Sequence, residues 1–79
     1  MTVNIELVCE ATHKLWVENQ VARGTLSLHS VETGENLIAP YPDLSETAKE
    51  RTRALVKNVL RALDEGGLQI VPASWIAHP

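Results

Sequence analysis

The chain has 79 residues, 44% of them apolar and 22% charged, with a net charge of −3. A chain of this length makes one domain (1–79) that buries only about two-thirds of the surface its unfolded form exposes, and its negative balance excludes general affinity for a nucleic-acid polymer, which comes from neutralising many phosphates. A single cysteine excludes an internal disulfide, and no basic N-terminal region or apolar stretch near the roughly 18 residues of a bilayer span is present, which predicts a cytoplasmic protein without a membrane segment.

From Asn4 to Arg23 the residues Ile5, Val8, Cys9, Thr12, Leu15, Trp16 and Val21 recur at helical spacing, with Glu6, Glu10, Lys14 and Glu18 between them. Residues 2–7 alone also read as an alternating strand, but the pattern continues past Leu7 and predicts a helix that Gly24 ends. Cys9, among Leu7, Val8 and Ala11, reads as a buried, inert thiol. His13 and Trp16 are three apart and share one surface of this helix.

Between Thr25 and Leu37 the composition turns to Thr, Ser, His, Val and Leu, with a turn signal at Thr33-Gly34-Glu35-Asn36. Leu26 and Leu28 alternate with Ser27 and His29, which predicts a short strand with Leu37-Ile38 as its hairpin partner, or else an extended loop. Ile38 to Pro42 is expected to run extended, since each proline disfavours helix in the residue before it.

A second helix follows. Asp43 is its predicted N-cap, with Glu46 three residues on as in a capping box. Ala48, Thr52, Leu55, Val56, Val59, Leu60 and Leu63 line one face, and Gly66-Gly67 supply the stop. Such a helix is about 33 Å long. Leu68 to Pro72 reads as a short extended segment, and the tail 72–79, with Trp75 and Ile76, is too apolar for a free end and is expected to fold onto the body or onto another copy of the chain. The fold class is therefore α+β, mainly helical: two packed helices joined by a hairpin or extended loop, with a C-terminal extended segment.

Little in the sequence points to catalysis. His13 has no second His or Cys at ligand spacing on its helix, and no glycine-framed nucleophile turn surrounds Cys9, Ser30 or Ser45, so neither an enzyme nor a cofactor is expected. Lys49, Arg53, Lys57 and Arg61 repeat every four residues and form a basic stripe interleaved with Glu46, Glu50, Asp64 and Glu65. That stripe reads as a solvated face laced with ion pairs, or as a source of phosphate contacts where it borders a pocket. Trp16 is either a core residue or a platform on which a nucleobase stacks, with His13 adding a contact to the base edge.

The succession His13-Lys14-Leu15-Trp16, Gly24, Ile38-Ala39-Pro40-Tyr41, then Leu44 followed by Lys49 and Arg53, on a helix ending in Gly-Gly, resembles the ryanodine-receptor repeat, or RyR domain, over residues 5–71. It departs from the family pattern at Thr25–Leu28, where an aromatic is usual, and in the acidic segment Ser30–Glu35, where basic residues are common. In the receptor channels these repeats form pseudo-twofold pairs whose cleft is associated with adenine nucleotides, the H-x-x-W tryptophans flanking the base, and single repeats occur in prokaryotes and phages. The resemblance implies that Trp16 stacks on a base and that His13 lines the pocket. Tyr41, Lys49 and Arg53 occupy matching motif positions and complete the candidate ligand-binding set, Lys49 and Arg53 as optional phosphate partners. Tyr41 alternatively locks the loop onto the first helix, and the two cations alternatively pair with Glu46 and Glu50. One repeat where the channels use two implies a homodimer with an isologous interface, for which the tail bearing Trp75 and Ile76 is a candidate contact.

The expected function is a non-catalytic binding module for a small nucleotide or nucleotide-derived ligand. The alternative is a protein-interaction or structural module in which Trp16 is core.

Overall fold

A computed structural model of the chain describes residues 4–68. Two α-helices pack together, α1 over Ile5–Ala22 and α2 over Glu46–Glu65, with a short 3-10 turn at Tyr41–Asp43 lying against α1. The predicted C-terminal extended segment and the tail with Trp75 and Ile76 lie outside the described residues.

Helix α1 starts where Asn4, in extended conformation, accepts the Leu7 amide on its side chain. Gly24, at φ 87°, follows its last turn as the sequence predicts. Helix α2 begins two residues later than predicted. Leu44 is extended at ψ 154°, so Asp43 belongs to the 3-10 turn and Ser45 is the N-cap, its Oγ accepting the Ala48 amide at 3.2 Å. Glu46 is thereby the first helical residue, out of capping-box register, and its carboxylate turns to Lys49 and Arg53 instead.

Ser45 has a second task. Its amide and hydroxyl both donate to the carboxylate of Glu35, which also accepts from the Thr33 hydroxyl at 2.8 Å. These donors hold the Glu35 carboxyl below the usual carboxylate range, the Ser45 hydroxyl contributing most. The loop is thus tied to the start of α2 through the cap. Aspartate normally caps as well as serine, but Ser45→Asp sets a second carboxylate against Glu35. We expect Ser45→Asp to lower the thermal midpoint at pH 7 more than Ser45→Ala does, with Glu35→Gln restoring the difference.

The predicted hairpin is not present among the described residues, where residues 25–40 form a loop with one isolated antiparallel bridge, His29 to Asn36. The side chain of Asn36 explains why pairing stops there. Its Oδ1 accepts the Leu28 amide at 3.1 Å, the donor that the next ladder step would direct to the Leu37 carbonyl, and it accepts the Ile38 amide at 3.1 Å as well. The reversal is made at Ser30–Gly34, where Ser30 Oγ accepts the amides of Glu32 and Thr33 and Gly34, at φ 75°, returns its amide to the Ser30 carbonyl. Nor is Ile38–Pro42 extended throughout. Pro40 is, at ψ 143°, but Asp43 and Leu44 then donate to the carbonyls of Pro40 and Tyr41, closing the 3-10 turn.

The core is small. Cys9, Tyr41, Leu44, Ala48 and Val56 are buried, with Ile5, Val8, Leu37, Ala39 and Leu60 packed around them. Cys9 is fully enclosed, as the sequence predicts, and burial pushes its thiol pKa upward. The predicted apolar face of α2 is only partly covered: Ala48 and Val56 are inside, whereas Leu55 and Val59 are more than half exposed. Among the described residues no helix is long and apolar enough to cross a membrane.

Candidate ligand cleft and the polar lock behind it

The two halves of the predicted site lie on different sides of one contact chain. Trp16 and His13, one helical turn apart on α1, stack with ring centroids 5.5 Å apart and planes 30° from parallel. His13 is buried, and its Nε2 lies 2.8 Å from the Ala39 carbonyl oxygen. A carbonyl only accepts, so Nε2 carries a proton and donates. His13 therefore fastens the loop to α1 and presents a fixed ring against which Trp16 rests. Trp16 itself is half-buried.

Both rings line a cleft of about 640 Å³. Its walls are Thr12, His13 and Trp16 from α1, residues 28–31 and Leu37 from the loop, Leu44, and Thr47, Ala48, Arg51, Thr52 and Leu55 from α2. The lining is mostly apolar, with a few polar groups at set positions, which is the common composition of small-ligand sites. Its permanent charge comes from Arg51, whose side chain is 62% exposed and stands 3.9 Å from the Glu32 carboxylate, beyond hydrogen-bond reach. His29 stands on the loop side of the same cleft.

Tyr41, Lys49 and Arg53 do not line it. Tyr41 is 5% exposed, tilted against His13 at 6.3 Å, and its hydroxyl donates to Glu6 at 3.1 Å. Burial, and next the Glu6 hydrogen bond, push its pKa up to about 12. The Lys49 ammonium sits 5.7 Å from the centre of the Tyr41 ring and 3.7 Å from Glu46. Arg53 is held by three carboxylates: Glu6 of α1, Glu46 at 2.9 Å and Glu50 at 3.3 Å. Hydrogen bonding to Glu6 first, then to Glu46, raises its pKa further, and the same guanidinium holds the Glu6 and Glu46 carboxyls below their ordinary range.

The structure thus has Tyr41 fastening the loop to α1 and Arg53 and Lys49 engaged by carboxylates, the alternatives the sequence left open. Glu6, which joins them, was not among the predicted site residues, because nothing in a linear reading sets it opposite a residue 47 positions away. Arg51 was missed as well, although a signal existed. It lies off the four-residue basic stripe and next to Thr52, on the flank of the apolar face of α2.

Among the described residues no group of three or more His, Cys, Asp or Glu side chains is placed to hold a metal ion. In comparisons with known proteins, no family model, no curated protein and no solved structure matches this chain.

Proposed function

We propose that this protein is a non-catalytic, cytoplasmic RyR-like binding module for a small nucleotide or nucleotide-derived ligand, its base stacked on Trp16. The observation that carries the reading is the Trp16–His13 pair: a half-buried indole, braced from behind by a fixed imidazole, on the wall of an apolar cleft of about 640 Å³. A base on such a platform gains about 1–3 kcal/mol from stacking. Arg51, on the cleft wall, is the cation that a phosphate would meet, since Lys49 and Arg53 stand outside the cleft and Arg53 is already paired threefold. Two copies about a twofold axis would bring two Trp16 rings to one cleft, with the exposed Val31 and Leu26 of the loop available to the contact.

A second reading, a protein-interaction module, has its own observation. Nine large apolar residues are exposed among the described ones, Leu26, Leu28, Val31 and Leu55 among them.

The experiment is a thermal-shift and tryptophan-fluorescence titration with adenine and guanine mono-, di- and cyclic nucleotides. At 100 times its Kd a ligand stabilises the folded state by about 2.7 kcal/mol, several degrees in a domain of this size. We expect Trp16→Ala to weaken binding about 5- to 150-fold while the protein stays folded, and Arg51→Gln to act in proportion to the number of phosphates. Sedimentation at the same concentrations tests the dimer. If no nucleotide moves the midpoint of the folded protein, the interaction module is the better reading.

A further inference from the structure

We propose that the Ser30 hydroxyl donates a hydrogen bond to the ligand, so that the cleft selects a base with an in-plane acceptor, a ring nitrogen or a carbonyl oxygen, turned to the loop. The inference rests on the nucleotide reading and deepens it by assigning one specificity-determining contact.

A hydroxyl has one proton to donate and two lone pairs that accept. At Ser30 both lone pairs are engaged, since Oγ accepts the Glu32 amide at 3.2 Å and the Thr33 amide at 3.3 Å. The proton takes the direction that remains, and it meets no acceptor among the described residues. The backbone holds this arrangement in place. The Ser30 amide donates to the Glu35 carbonyl and its carbonyl accepts the Gly34 amide, each at 2.8 Å, so the residue is pinned at three points with one donor unused.

Burial gives that donor its weight. Ser30 is 7% exposed and lines the cleft, and a polar group so enclosed normally has its hydrogen bonds made. Ser30 and His13 are the two buried polar side chains among the described residues, and they differ. His13 gives its Nε2 proton to the Ala39 carbonyl, whereas Ser30 keeps its own. Thr12, another hydroxyl on the wall, donates to the Val8 carbonyl at 2.7 Å and is likewise engaged. The placement suits an edge contact. A ring lying on Trp16 of α1 turns its in-plane lone pairs to the other walls, of which the loop bearing Ser30 is one. A base that meets this hydroxyl with C–H in place of an acceptor leaves the buried donor unpaired and binds less well.

The test crosses a change in the ligand with a change in the side chain, on the full chain. AMP and GMP are titrated beside analogues that lack a single acceptor, one ring nitrogen replaced by C–H or, for guanine, the exocyclic oxygen removed. One analogue is expected to bind about 2- to 12-fold more weakly than its parent nucleotide, the range of one neutral hydrogen bond, and the others to bind alike. Ser30→Asp keeps an oxygen for the two turn amides but carries no proton when ionised; Ser30→Ala has neither. In both, that ratio is expected to fall to about one, and in Ser30→Thr to persist. Each ratio is taken within one variant, so the charge added by Asp cancels. Equal binding of every analogue by the parent protein, with Trp16→Ala still weakening the nucleotide, would overturn the Ser30 contact and leave the nucleotide reading standing, as would a ratio that survives in a folded Ser30→Asp or Ser30→Ala protein. No binding of AMP, GMP or any analogue to the folded parent would overturn both.

Discussion

Tyr41→Ala is expected to remove a large share of the stability of this protein. Truncating a buried aromatic costs about 3–5 kcal/mol, whereas a 79-residue domain has only about 4–12 kcal/mol in all. Few residues are available to absorb the loss, because Tyr41 is one of five buried apolar side chains among those described. Its ring lies against His13 and under Lys49, and its hydroxyl reaches Glu6. Tyr41→Phe separates packing from polarity. It keeps the ring and loses one hydrogen bond, a change of about 1 kcal/mol, because Glu6 still has Arg53. Urea denaturation followed by circular dichroism reads both variants, and a Tyr41→Ala protein within 1 kcal/mol of the parent would show that the loop is not fastened as described.

Leu44→Ala carries the second large expectation, a loss of about 2–5 kcal/mol. Leu44 sits between the 3-10 turn and the Ser45 cap, buried in the core and also on the wall of the cleft. Truncating it removes core packing and widens the floor on which a ligand would lie. Leu44→Met keeps the volume and is expected to cost less than about 1.5 kcal/mol. If stability alone falls and nucleotide affinity, measured below the new midpoint, is unchanged, Leu44 is not part of the binding floor.

The helices were legible because their signals are local. The spacing of Ile5, Cys9, Thr12 and Trp16, and the glycines at 24 and 66–67, depend only on residues within a few turns. Of the hairpin and the extended loop that the sequence left open, the loop forms, for an equally local reason that composition does not show: Asn36 offers the Leu28 amide a side-chain acceptor in place of the Leu37 carbonyl. The cap was misplaced by two residues because both Asp43 and Ser45 are good capping residues, and the extended backbone at Leu44 decides between them.

The candidate site divides in the same way. His13 beside Trp16 follows from helix geometry alone. That Arg53 faces Glu6, and that Arg51 is the cation at the cleft, depend on how α1 meets α2. A sequence with two comparable basic positions on neighbouring faces of one helix leaves that choice to the packing.

The fastening of the loop to α1 also sets how much closure entropy each long-range contact costs. Each helix forms from its own turns within about a microsecond, whereas His13–Ala39, Tyr41–Glu6 and Arg53–Glu6 close 26, 35 and 47 residues. Loop-closure entropy grows only with the logarithm of length, so going from the first of these closures to the last adds about 0.5 kcal/mol. Once Ala39 is seated on His13, the remaining spans are short extensions of a ring already closed. Seating residues 39–41 on α1 therefore lowers the closure entropy left for the contact between Arg53 and Glu6.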